Sequence, residues 1–189
     1  MCFSFEISIG TFIISWSISL YLLNKDLNEK QKQNIIFLMI FSSIQLADAI
    51  LWFIKMKKNI INYIVTSFII PTILSLQLLY NNFVSNNILI LKILSIIASL
   101  YIFFKFNGYS KSLCNNKFSS PVWGSKEINI IEFIIFAILI IYPNWQLIIF
   151  LIFIFYPLIK ILVNGAVGSM WCALSNIIAF YYLYKYRKI

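Results

Sequence analysis

The side chains of this chain that could do chemistry fall into a few short clusters. Cys2, Ser4 and Glu6 stand near the start. Gln45, Asp48 and Trp52 follow with spacings of three and four, which puts all three on one side of a helix. Glu132 stands by itself, and Gly168, Ser169, Trp171 and Cys172 come near the end. An amide and a carboxylate on one helical face can floor a polar pocket. A thiol can act as a nucleophile when a base activates it. Cys2, with Met1 removed, would carry its own amine as that base, oriented by Asp48 or Glu6. The same Cys2 could equally be acylated, disulfide-linked to Cys172, or no more than a small apolar residue. The chain has no histidine, the commonest metal ligand and proton shuttle. Cys2, Cys114 and Cys172 are too scattered for a zinc spacing or a CxxC redox pair. No metal and no cofactor is expected.

The elements that must position these groups are membrane-length. Hydrophobic residues make up 61% of the chain and charged residues 11%, where a soluble domain carries about 25% charged. A bilayer core roughly 30 Å thick takes about 20 apolar residues per crossing helix. The chain therefore reads as an all-α, polytopic transmembrane helix bundle in a single domain over residues 1–189, with seven helices. They are expected near 5–23, 34–54, 60–80, 88–104, 128–142, 145–163 and 167–184, with a polar loop at 105–126. Pro71 inside the third is expected as a kink, which membrane helices tolerate. The fifth is short, so the fifth and sixth could also pair as a re-entrant hairpin. The N-terminus lacks the basic start of a signal peptide and carries Glu6 there, so it reads as a retained first helix.

Helix parity brings the clusters to one face. If odd helices run from face A to face B, then Cys2, Ser4 and Glu6 lie at A. So do Gln45, Asp48 and Trp52, late in helix two, and Glu127 and Glu132, early in helix five. Lys160 and Asn164 close helix six at A, and Gly168, Ser169, Trp171 and Cys172 open helix seven there. The loop with Cys114 and Trp123 is on the same side. Face B receives Gln77, Asn81, Asn82, Asn86, Asn87 and Lys92. An ionisable group within a membrane is costly and usually faces a cavity and a partner. Asp48 is the clearest case and Glu132 the second. The plainer reading puts both acids at headgroup depth, paired with Lys55 or Lys160. Trp52, Trp123, Trp145 and Trp171 have a plain reading too, as interfacial aromatic-belt residues. The charge of +9 fits Lys and Arg flanking membrane segments, not nucleic acid. Lysines lie on both faces, so orientation is not set by them.

Met1-Cys2-Phe3-Ser4, the trio Gln45, Asp48 and Trp52, and Gly168-Ser169-Met170-Trp171-Cys172 together carry a resemblance. The chain resembles a family of small multi-pass membrane proteins, of no established activity, found in large DNA viruses and some microbes. That family opens with Met-Cys-Trp/Phe-Ser, holds a Gln, an acid and a Trp late in helix two, and closes with a Gly-Ser-x-Trp-Cys-Trp motif. The resemblance implies the layout and the candidate positions, and no reaction. Here the acid is Asp48 where the family has Glu, and Ala173 replaces the final aromatic.

The reading preferred from these residues is an integral multi-pass membrane protein that binds or transports a small molecule or lipid. Its candidate binding residues are Gln45, Asp48, Trp52, Glu132, Ser169, Trp171 and Cys172, in a pocket at face A. The expected partners are the lipid bilayer and such a ligand. The alternatives are an intramembrane thiol enzyme using Cys2 and a structural or assembly membrane protein. A retinal protein is set aside because Lys185 lies at the end of helix seven, not in its middle.

Overall fold

A computed structural model of the chain describes residues 4–85, 88–115, 118–124, 128–163 and 167–187. Seven helices and one two-stranded hairpin occupy them, so the architecture is all-α with no closed sheet. Helix α1 spans Phe5–Leu23 and starts at Ser4, whose hydroxyl accepts the Ile7 N–H at 3.3 Å. Its buried face is Ser8, Ser15, Ser19 and Leu22. Small residues on one face let backbones approach closely, and α1 packs there against the second and seventh helices.

Helix α2 runs over Glu29–Phe53, starting earlier than the apolar run at 34 suggests. Asn28 and Gln31 form a reciprocal capping box, at 2.9 and 3.0 Å. These bonds satisfy backbone donors that would otherwise be orphaned, so the polar stretch Glu29–Gln33 is helical and not loop. Helix α3 spans Ile60–Val84, is capped by Asn59, contains a π-turn at Val65–Ile69 and runs out through a second at Asn81–Ser85. Pro71 sits just after the first of them, where the widened turn accommodates its missing N–H.

Helix α4 is Leu89–Lys105. The region expected as a polar loop instead carries an antiparallel hairpin, β1 Lys111–Asn115 with β2 Phe118–Val122, in the register Lys111 to Val122 and Cys114 to Ser119. Helix α5 is Ile130–Ile141. Helix α6 comprises Trp145–Phe150, a π-turn at Leu151–Phe155 and Tyr156–Val163. Helix α7 is Val167–Tyr186. Strand β2 packs against α6 and α7.

The apolar core gathers Phe41, Leu51, Val65, Leu78, Ala137 and Leu151. The outer surface is apolar too: Phe53, Leu89, Phe104, Phe153 and Ile161 are each at least 70% exposed. Meanwhile Ser15, Gln45, Asp48, Asn62 and Gln77 are fully buried. Polar side chains face inward and large apolar ones outward. Three helices, α1, α2 and α3, are long and apolar enough to cross a membrane.

Candidate functional site

Two polar centres lie inside this bundle, and one tryptophan joins them. The first is at the contact of α1, α2 and α7. The Gln45 amide nitrogen donates to the Ser175 hydroxyl. One residue on, Asn176 accepts the Ser15 hydroxyl proton through Oδ1 at 2.7 Å. A turn further along α2, the fully buried Asp48 carboxylate accepts the Trp123 indole N–H at 2.7 Å. Trp52 is half-buried and packs on the apolar core.

Trp123 comes from the segment that follows the hairpin, and its burial has local causes. Asn62 on α3 clamps the chain just before the hairpin. Its Oδ1 accepts the Ser110 N–H at 2.8 Å, and its amide nitrogen donates to the Ser110 carbonyl at 3.0 Å. The Ser110 and Thr66 hydroxyls are 2.6 Å apart, and Ser67 accepts the Gly108 N–H at 2.9 Å. At the other end, Gly124 adopts φ +70° and lies so close to Phe106 that a Cβ there would be 3.0 Å from the Phe106 Cα. Only glycine meets both conditions cheaply. The Trp123 ring then meets the Phe106 ring edge to face, 6.0 Å between centroids.

The second centre is on α4 and α5. Glu132 is the third residue of α5 and closes a capping box with Asn129: it accepts the Asn129 N–H at 2.7 Å, while Asn129 Oδ1 accepts the Glu132 N–H at 2.9 Å. The same carboxylate accepts from the Lys105 ammonium and from the Tyr101 hydroxyl. The Lys105 and Glu132 side chains are 6% and 18% exposed.

Between α4 and α5 lies a cavity of about 400 Å³. Leu94, Ile97 and Ala98 line it from one side, Ile135, Phe136 and Leu139 from the other, and Leu74 of α3 closes its back. Tyr101, Lys105 and Glu132 stand at one end, beside Trp123. The groove is thus apolar along its length and polar at its mouth. Trp123 forms part of its wall and also holds Asp48.

The candidate residues divide accordingly. Gln45 and Asp48 are neighbours in the first centre. Glu132 belongs to the second, and among the described side chains its cation is Lys105 and not Lys55; the Lys160 side chain lies outside them. Trp123 is buried, unlike an interfacial belt residue, whereas Trp145 is 55% exposed. Ser169, Trp171 and Cys172 fall in the first two turns of α7, and their side chains are outside the described ones. Cys2, Glu127 and Asn164 lie outside the described residues. Ser15, Ser175, Asn176, Tyr101, Lys105 and Asn129 were not singled out from the sequence, nor was the role of Trp123. Signals for some of them were present. Tyr101 and Lys105 have a same-face spacing of four, and Asn129-x-x-Glu132 is a capping-box pattern.

Compared with known proteins, the chain matches no family model, no curated protein and no solved structure.

Proposed function

We propose that this chain is a multi-pass integral membrane protein that binds a small amphiphile in the groove between α4 and α5. Membrane residence is supported by the inside-out distribution of side chains and by the three long apolar helices. In water, exposed side chains such as Phe104 and Ile161 would form patches far larger than soluble monomers carry. In a bilayer they meet lipid, and Ser15, Ser175, Gln45 and Asp48 find partners inside the bundle.

The observation that carries the binding reading is the groove itself. Its volume is within the roughly 300–1,000 Å³ of small-molecule sites, which are mostly apolar with a few convergent polar groups. Its axis, from Leu94 to Lys105, follows about 16 Å of helix. An apolar tail along Ile97 and Ile135 and a polar head beside Tyr101 and Glu132 match that polarity. The first centre serves this reading as support: Asp48 fixes the indole that walls the groove.

Lipid extraction of the purified protein tests the proposal. The protein, washed in detergent, is expected to retain a stoichiometric amphiphile. Ala98→Phe, which fills the groove, is expected to lose it while unfolding at the same temperature. A wild-type protein without such a molecule, or an Ala98→Phe variant that keeps it, would overturn the reading.

A further inference from the structure

We propose that the occupant of the groove is a single-chain lipid ending in an uncharged hydroxyl, such as a long-chain alcohol. This rests on the amphiphile reading above and specifies its chemistry.

The shape limits the tail. The lining is one continuous stripe between two helices, with Leu94, Ile97 and Ala98 facing Ile135, Phe136 and Leu139. The cavity of about 400 Å³ is toward the small end of the roughly 300–1,000 Å³ of ligand sites, which favours one chain over two.

The mouth limits the head. The Lys105 ammonium is already in contact with the Glu132 carboxylate, so the two charges cancel. A phosphate or carboxylate head would find its cation neutralised and an anion alongside, in a low-dielectric setting where repulsion is strong. The hydrogen-bond inventory narrows the head further. Glu132 Oε2 accepts from Lys105 and from the Asn129 N–H, and Oε1 accepts from Tyr101. An ionised carboxylate has about four acceptor sites, so Oε1 retains one. The Tyr101 oxygen, having donated its proton to Glu132, also keeps its lone pairs. Oε1 and the Tyr101 oxygen can accept, and the Lys105 ammonium carries three donors of which Glu132 takes one, so the head that fits donates to the first two and can also accept. A hydroxyl donates without bringing a charge.

The test uses chains brominated within a few carbons of the head group, because bromine quenches a tryptophan that it touches and Trp123 walls the groove at its mouth. Wild-type protein in lipid nanodiscs is titrated with a dibrominated long-chain alcohol, with the same chain ending in a carboxylate at pH 9, and with a dibrominated phosphatidylcholine. The alcohol is expected to quench saturably, to be displaced by unbrominated alcohol, and to lose this component in Trp123→Phe. The carboxylate is expected to bind at least about tenfold more weakly. Glu132→Gln, which removes the anion and leaves Lys105, is expected to reverse that order. If the carboxylate binds wild-type protein as well as the alcohol does, the head-group inference is wrong and the groove reading stands. If no probe gives a saturable component that depends on Trp123, or only phosphatidylcholine does, the groove holds bulk lipid and both readings fall.

Discussion

Replacing Trp123 by Phe tests the link between the two polar centres. The substitution keeps an aromatic ring against Phe106 and removes the N–H that Asp48 accepts at 2.7 Å. A hydrogen bond to a charged group contributes about 1.5–3 kcal/mol. Shrinking a buried indole to a phenyl adds roughly 1 kcal/mol of lost packing. Trp123→Phe should therefore destabilise the fold by about 3 kcal/mol. Asp48→Asn preserves the shape and still offers an oxygen, but a neutral one, and charge-assisted hydrogen bonds are about twice as strong as neutral ones. In the Asp48→Asn background, Trp123→Phe should cost only about 2 kcal/mol, a coupling of about 1 kcal/mol. The assay is reversible unfolding in mixed micelles at increasing denaturing detergent, followed by far-UV circular dichroism for the four proteins of the cycle. If Trp123→Phe costs the same in both backgrounds, within about 0.3 kcal/mol, the indole does not bond the Asp48 carboxylate. The argument that Asp48 holds the groove wall would then be wrong.

Four further substitutions, two of them combined, test other parts of the interior in the same unfolding assay. Lys105→Met leaves Glu132 without its cation in a mostly buried site and should cost about 3 kcal/mol. Adding Glu132→Gln, which keeps the capping box, should recover at least about 1 kcal/mol of that, and equal stability of the single and double variants would deny the pair any role. Gly124→Ala should cost about 1–3 kcal/mol, because it strains a left-handed residue and presses a Cβ on the Phe106 backbone. Tryptophan emission should shift to the red as Trp123 loses its site, and an unchanged spectrum would contradict the close approach. Gln77 is fully buried with neither end of its amide hydrogen-bonded among the described residues. Gln77→Leu should leave stability unchanged or raise it by about 1–3 kcal/mol, and a loss would mean that the amide has a partner such as a bound water.

How far the fold could be read from sequence depended on whether the deciding interaction was local. The run expected at 5–23 is the helix Phe5–Leu23, and the run at 145–163 is likewise helical. An apolar stretch bounded by polar residues is enough to define such a segment. The start of α2 was misread because hydropathy is blind to Glu29–Gln33, where a capping box and not burial holds the backbone. The hairpin at 111–122 was missed because Lys111-Ser-Leu-Cys-Asn alternates only weakly. Its position is fixed by Asn62 and Thr66, more than forty residues away.

The same distinction separates the legible from the illegible in the polar centres. Gln45 and Asp48 could be read, because a spacing of three is a property of one helix. Their partners could not, because Ser175 and Trp123 are 130 and 75 positions away. An apolar surrounding does, however, limit the choice. Where water is excluded, each polar group must find another, since leaving one unbonded costs several kcal/mol. In a chain with so few polar residues inside its apolar runs, the possible pairs come from a short roster. Ser15 with Asn176 and Gln45 with Ser175 are drawn from it, at matching depths on three neighbouring helices. Lys105 and Glu132 obey the same rule near the helix ends, at the face where parity put Glu132. Among the described residues the Ser8 and Ser75 hydroxyls, the Trp16 indole N–H and both ends of the Gln77 amide are exceptions, buried without a partner; Gln77 leaves the most polar atoms unbonded, and so its substitution is the sharpest test of whether pairing by exclusion of water governs this interior.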